Sequence, residues 1–408
     1  MAVAQSSIKE MLSGEKAFYN TPDYIESTSR DFSSKKALPV TYEWNTESKV
    51  GRVVRQILSI ICFPIIVYRL LHELAGKIII LASTPSRINR TENYVVDTRK
   101  NIQLNGEWKY KRITIGTDGN KIDLLIFGKS ETLGNGTWTL VSNGNAEFYE
   151  EKACSDGFKT FLTKTQSNAI VWNYPGVGAS TGHPTRDEMA KAYQAILSFL
   201  EIELGAKKII GLARSIGGGV QSDARAAHTF KDDVKYVFTE IQTFSTLAEE
   251  AYSLFSNKSV VLATVAQLLI QALGWNMNPA QTSKKLAVPE IILQTCKMGL
   301  VEQCRTLLPA EETKTSAPPQ RRRSLTRTVA QADFRETMDH FATVRDIEDD
   351  SIISAQASLA KALLEDTECS KEQKLFLGIP EKHNDSFGET TLTTLASAIN
   401  NFLIPQGA

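Results

Sequence analysis

The 408-residue chain is 42% hydrophobic and 23% charged, enough for a large core in one main domain with additions. Its 46 Lys and Arg balance 46 Asp and Glu, so no net field draws in nucleic acid. Five cysteines, Cys62, Cys154, Cys296, Cys304 and Cys369, are odd in number, scattered and without a CxxC pair, which argues for reduced thiols against a disulfide frame or a zinc site.

Met1 to Lys16 lacks the basic start, apolar stretch and small-residue cleavage site of a secretory signal, so Sec export is not expected. Residues 1 to about 50 are polar and weakly periodic. An apolar stretch from Ile57 to Tyr68 follows, broken by Pro64 and bounded by Arg55 and Arg69, and Ile78 to Ala82 is apolar again. A bilayer span needs about 20 apolar residues. The segment 52–82 therefore reads either as a buried or cap helix, or as a helix lying in a membrane interface with Arg52, Arg55, Arg69 and Lys77 at headgroup level. Residues 1–105 are taken as an N-terminal extension and 106–408 as the main domain.

The main domain opens with a hairpin pattern, in which Ile113, Ile115, Ile122, Leu124 and Ile126 alternate around Asp118-Gly119-Asn120. Short apolar runs then alternate with helix-like segments: Trp138–Val141, Ala169–Trp172, Ile209–Leu212, Val234–Phe238, Ile291–Leu293 and Leu375–Leu377. This alternation predicts a mostly parallel α/β sheet covered by helices. One helix starts at the capping-box pair Thr185 and Glu188 and continues through Met189, Tyr193, Ile196, Leu197 and Leu200. Residues 245–285 are helical in pattern, like a lid. Residues from about 297 to 335, with Pro318-Pro319 and Arg321-Arg322-Arg323, read as a flexible insertion whose Arg run is a solvated loop or an acidic-lipid site.

The strand Lys208–Leu212 stops at Ala213-Arg214-Ser215-Ile216-Gly217. A serine on a sharp strand-to-helix turn needs small residues two positions before and after it, so Ser215 is the candidate nucleophile of an elbow. Such a serine needs a base, an orienting acid and oxyanion donors. Of the histidines His72, His183, His228, His340 and His383, only His383 follows the last strand, where the base belongs. For the acid, the cluster before the helix-like run Ala355–Leu364 offers Asp350 first and Asp349 second, although both could simply cap that helix. The loop Ser142-Asn143-Gly144-Asn145-Ala146 follows a strand, and the N–H groups of Asn145 and Ile216 would form the oxyanion hole, each worth about 3 kcal/mol of barrier. The glycine-rich loop Asn173–Gly182 lacks the P-loop lysine, so no nucleotide, cofactor or metal is called for.

These strings resemble the α/β-hydrolase superfamily, in particular its Bem46-like and depalmitoylase-like serine hydrolases. The resemblance rests on Asn143-Gly144-Asn145-Ala146, on Tyr174-Pro175-Gly176-Val177-Gly178-Ala179-Ser180-Thr181-Gly182, on Thr243-Phe244-Ser245-Thr246-Leu247 and on His383-Asn384-Asp385, in that order over about residues 108–405. The apolar segment running into Ala82-Ser83-Thr84-Pro85 resembles the SidB-like effectors of Legionella and a related chlamydial group. Three departures stand out: Asn143 replaces the usual His, Ala213 the usual elbow Gly, and a long insertion precedes Asp350. The resemblance implies an α/β-hydrolase fold and a Ser–His–Asp esterase, lipase or thioesterase acting on an acylated substrate. It also implies a cytoplasmic or membrane-associated setting, or delivery into a host cell by a non-Sec route. The other reading is an inactive hydrolase fold that binds membrane or host partners.

Overall fold

The computed structural model describes residues 40–403 apart from 47, 49, 55–56, 58–62, 92, 101, 103–106, 287, 297–346, 350–351 and 367–372. Cys62, Cys304, Cys369, His340, Asp350 and the Pro318-Pro319 and Arg321-Arg322-Arg323 strings of the expected insertion lie outside the described residues.

Two ten-residue strands, β2 (Trp108–Thr117) and β3 (Asn120–Lys129), form the expected hairpin in register Thr117↔Asn120. Its two-residue turn puts Asp118 at φ 46° and Gly119 at φ 95°. Positive φ at both central positions matches the right-handed twist of the strands, and Asp-Gly meets that demand at low cost. The remaining strands are β1 (Val40–Trp44), β4 (Thr137–Ser142), β5 (Asn168–Trp172), β6 (Lys208–Arg214), β7 (Lys235–Ile241), β8 (Glu290–Thr295) and β9 (Lys374–Ile379). They complete one sheet in the order β1-β2-β3-β5-β4-β6-β7-β8-β9. From β5 to β9 every neighbouring pair is parallel, and β3 is antiparallel to both of its neighbours.

Strand β1 is absent from the sequence reading, which left residues 1 to about 50 without an element. Five residues that include Glu43 give too short an alternation to register. Tertiary contacts supply what the pattern lacks, since Tyr42 donates to or accepts from Ser198 at 2.8 Å and meets the Phe199 ring edge-on at 5.4 Å.

Helices follow the strands: α1 (Phe63–Ile79) and α2 (Tyr94–Lys100) precede β2, α3 (Tyr149–Cys154) and α4 (Asp156–Thr165) follow β4, and α5 (Arg186–Ile202) follows β5. Beyond the elbow lie α6 (Ile216–Ala226), then α7 (Leu247–Ser256), α8 (Val260–Ala272) and α9 (Pro279–Lys285), with α10 (Leu359–Glu365) before β9 and α11 (Glu389–Leu403) after it. The apolar stripe of α5, led by Met189, Tyr193 and Ile196, joins Leu140, Ile170 and Ile209 in the core on one face of the sheet. Phe158 and Phe161 of α4 and Leu395 and Ile399 of α11 cover the other face over Val171, Ile210 and Val237. The helix start at Thr185 is as expected, its hydroxyl accepting the Glu188 N–H at 3.3 Å, while the Glu188 carboxylate takes the His183 N–H at 2.8 Å.

Several of the described residues before 105 share this core. Ile80, Ala82 and Val95 are buried in the α5 face, and Arg99 of α2 is sealed inside, with Nε on Glu150 at 2.5 Å and Nη2 on Asp123 at 3.2 Å. Arg112 shares the same Asp123 at 2.7 Å. A buried charge is tolerated only with such partners, so each carboxylate is needed once the guanidinium is inside.

Candidate active site

The loops that leave β4, β5, β6, β7, β8 and β9 all emerge at the C-terminal end of the parallel strands, where open α/β sheets place ligands. The elbow sits among them. Ser215 has φ 56° and ψ −123°, a backbone conformation that L-residues avoid, at a cost of about 1–3 kcal/mol. Two backbone bonds hold it there: the Ser215 N–H donates to the carbonyl of Ile241 at 3.0 Å, and the Ser215 carbonyl accepts the Gly218 N–H at 3.0 Å to begin α6.

Gly217 is required by close approach rather than by its own dihedrals. A Cβ there would overlap the Ser142 carbonyl oxygen and stand 2.7 Å from the carbonyl oxygen of Asn143. The elbow is therefore pressed against the backbone of the 142–147 loop, which is the juxtaposition an oxyanion hole needs. That loop is itself tightly held. The Asn143 side chain, 1% exposed, turns inward and donates to the Trp172 carbonyl at 2.9 Å, and the Tyr174 hydroxyl donates to the Asn143 carbonyl at 2.5 Å. The Gly144 N–H is taken by Glu147 at 2.8 Å. Burial pushes the Glu147 carboxyl up, but Lys152, that N–H and Arg214 outweigh it and hold the group below the usual carboxylate range.

Asn145 carries a connection that the sequence did not reveal. Its side-chain oxygen accepts the Leu81 N–H and its carbonyl the Ala82 N–H, both at 3.1 Å. The stretch Leu81–Ser83, a single 3-10 turn leading into Thr84-Pro85, thus braces the loop on which the oxyanion donor was expected.

His383 follows β9, and it is 6% exposed rather than the surface-loop residue its polar surroundings imply. Arg214, next to the serine, donates from Nη2 to the His383 carbonyl, to Oε1 of Gln242 at 3.3 Å and to the Asp385 carbonyl at 3.3 Å. Gln242 donates in turn to Oγ1 of Thr295 and to the Glu381 carbonyl, both at 2.9 Å. Arg214, Gln242 and Thr295 therefore lock the His383 loop to the ends of β6, β7 and β8. The sequence reading missed all three; the position of Arg214 directly before the elbow serine was the one available signal.

The other described histidines are engaged elsewhere: His72 at the Leu273 carbonyl, His183 beside Glu73, and His228 on Glu201 at 2.8 Å. On the acidic loop, Ile347 bridges to Cys296 and the Glu348 N–H donates to Thr295 at 3.0 Å, so the chain re-enters at the end of β8 beside the His383 loop. Asp349 accepts the Ala355 N–H at 2.7 Å in the turn before α10, and the cap of that helix is Ser358, not Asp349. Asp350 is outside the described residues. A cavity of about 170 Å³ lies beside the elbow, with Phe158, Leu212 and Leu395 in its walls and Ser142, Arg214 and Lys152 at its polar side. Among the described residues no group of three or more His, Cys, Asp or Glu side chains could hold a metal ion.

A sheet in this strand order, with a strained serine between β6 and α6 and a histidine after the last strand, defines an α/β-hydrolase. The chain belongs to the family described as Chlamydia CHLPS protein (DUF818), which matches residues 25–335. It is 27% identical over 194 residues to phosphatidylserine lipase ABHD16A of Pongo abelii, covering 46% of this chain and 32% of that protein. The Homo sapiens counterpart is 26% identical over the same share. The chain thus spans about a third of the length of the curated relatives it matches. Among solved structures it is similar to the Pyrococcus furiosus esterase Pf2001, with a TM-score of 0.44 at 11% identity over 72% of this chain and 92% of that one. A putative hydrolase from Agrobacterium vitis S4 gives 0.43 at 12% identity over 73% and 99%.

Proposed function

We propose that this chain is a serine hydrolase cleaving a carboxylic ester or thioester of a lipid or acylated molecule. Ser215 is the nucleophile and His383 the base that takes its proton; an acyl-enzyme forms and the leaving group receives that proton. Water then attacks with His383 again as base, releasing the acid and restoring Ser215. The N–H groups of Ile216 and Asn145 hold the oxyanion, and Asp350, or Asp349 after it, orients the imidazole.

The observation that carries this reading is the Ser215 backbone, strained at φ 56° and pressed through Gly217 onto the 142–147 loop. A fold needing only a strand-to-helix turn has no use for that strain. The lipid or acyl preference is supported by the lipase name of the curated relatives. The finer placement among Bem46-like and depalmitoylase-like hydrolases belongs to the same proposal, resting on the four motifs. An effector role rests on the chlamydial family description alone.

The test is covalent labelling with a fluorophosphonate probe. The native chain labels, and Ser215→Ala and His383→Ala do not, while both variants keep the native circular dichroism. A native chain that never labels overturns the reading and leaves a hydrolase fold used for binding. Comparing Asp350→Asn with Asp349→Asn assigns the acid by which of the two slows labelling.

A further inference from the structure

Helix α8 is built against the rule for a surface helix. Its thirteen residues, Val-Val-Leu-Ala-Thr-Val-Ala-Gln-Leu-Leu-Ile-Gln-Ala, contain no ionisable side chain, and Ala263 is its one buried residue. Val261 is 73% exposed, Leu268 57% and Leu269 53%. Its polar side chains, Thr264, Gln267 and Gln271, are uncharged and share one stripe, and the rest of its circumference is apolar, the pattern of a helix lying in a lipid interface.

Helix α1 has the same character on its outer side, where Val67, Leu70, Leu71, Leu74 and Ile78 are exposed. Its inner side is fixed at Gly76, where a Cβ would overlap the Pro184 carbonyl and stand 3.0 Å from the Trp275 ring. The two helices are tied at one junction. Tyr68 donates its hydroxyl to the Leu273 carbonyl at 3.1 Å, Nδ1 of His72 donates to the same oxygen at 2.6 Å, and Trp275 donates to the His72 carbonyl at 3.1 Å. Two apolar helices about 200 residues apart in sequence therefore meet at Leu273.

We infer that α1 and α8 together form a docking surface that inserts into the headgroup–acyl boundary of a phospholipid bilayer. Charge supports lipid over a protein partner. Lys77 in the last turn of α1 and Lys258 just ahead of α8 are exposed at the margins, placed for lipid phosphates. The one acid of α1, Glu73, faces His183, and α8 has none. No described helix is long and apolar enough to cross a membrane, so the surface lies in the interface. The inference does not depend on the reactivity of Ser215. Because α7 starts soon after β7, docking through α8 would also turn the elbow end of the sheet toward the lipid.

The experiment is flotation of the full chain with phosphatidylcholine vesicles, with and without an anionic phospholipid. Variants are Leu70→Glu/Leu74→Glu on α1, Val261→Glu/Leu268→Glu on α8, and the control Ile202→Glu, an exposed apolar residue on α5. The native chain floats, on the order of tenfold more tightly with anionic lipid. Each helix pair lowers binding by about tenfold or more, since each buries apolar area, and the control does not. Every changed side chain is solvent-exposed, so native circular dichroism is expected throughout. A full chain that stays with the unbound protein overturns the inference, as does flotation that survives both variant pairs. A lipid-free dimer that the α8 variants convert to monomer, with flotation unchanged, assigns the face to a second copy instead.

Discussion

The carbonyl oxygen of Asn145 accepts the N–H of Ala82 at 3.1 Å, while the Asn145 side chain accepts the neighbouring Leu81 N–H. A region that reads as an extension thus reaches the loop expected to carry an oxyanion donor. Two bonds from one turn of chain hold the Asn145 side chain and the carbonyl of the 145–146 peptide, and so restrict how far the residue, and with it the N–H on its other side, can turn.

Asn145→Ala removes the side-chain half of that brace and leaves the backbone half. The residue is only partly buried, so the expected stability loss is small, about 1 kcal/mol. The effect on chemistry is larger, because an oxyanion donor acts through direction. Turnover of a p-nitrophenyl ester is expected to fall on the order of tenfold in kcat with KM little changed. Equal kcat in variant and native chain would show that the brace does not act on the reaction.

Gly217→Ala should be worse than its size suggests. The added methyl meets the Ser142 and Asn143 carbonyls, both backbone, and neither can swing aside as a side-chain end could. The elbow or the 142–147 loop must shift, at about 1–3 kcal/mol, and the oxyanion geometry shifts with it. Urea unfolding should show the loss, and fluorophosphonate labelling should slow by about a hundredfold. Unchanged labelling in a destabilised chain would separate the packing of the loop from its chemistry.

Much of this was legible from local chemistry. Asp118-Gly119 announces its turn because positive φ at two successive positions leaves few residue choices, and Ala213-Arg214-Ser215-Ile216-Gly217 announces the elbow because a strained serine excludes bulk on either side. The periodic runs of the sheet were readable because buried parallel strands are continuously apolar. What stayed hidden is carried by contacts distant in sequence. The Leu81–Asn145 bond spans 64 residues and the Arg214–His383 bond 169, and neither leaves a spacing in the chain. Strand β1 is likewise held by Tyr42 on Ser198. For α8 the apolar pattern was visible, but whether Val261 and Leu268 faced the core or solvent depended on what packs above them.

Arg214 is a positioning residue in this arrangement, acting through the His383 loop. Its guanidinium reaches the His383 and Asp385 carbonyls and Gln242, and it lies 5.8 Å from the Phe387 ring centroid. Arg214→Ala should leave the sheet intact yet free the loop, lowering kcat by about ten- to a hundredfold. Arg214→Lys should recover little of this, since an ammonium on a shorter, flexible stem does not reach the three acceptors that gather at Nη2. Full recovery by Lys would reduce the role of Arg214 to its charge.

Behind the elbow, Glu240 accepts Nη2 of Arg225 at 2.7 Å and Nε2 of Gln221 at 3.1 Å. Burial pushes its carboxyl up from 4.5 to about 7, Arg225 opposing and Glu290 adding to the rise. An acid whose folded value lies above its unfolded one binds its proton more tightly in the native state. Its stabilising contribution is therefore full below about 4.5 and is lost as pH rises through about 7. Glu290 works in the opposite sense in a lower window. Burial raises it, but Arg225 and Lys374 prevail and hold it below 4.5, so its contribution is lost only on further acidification. Urea unfolding of the native chain should accordingly show stability falling between about pH 5 and 7, by at most about 3 kcal/mol from this group. Glu240→Gln keeps a carbonyl acceptor for Arg225 and has nothing to titrate, so its share of the fall should disappear. An identical slope in the variant would show that Glu240 is already ionised at about pH 5 and that Arg225 outweighs its burial.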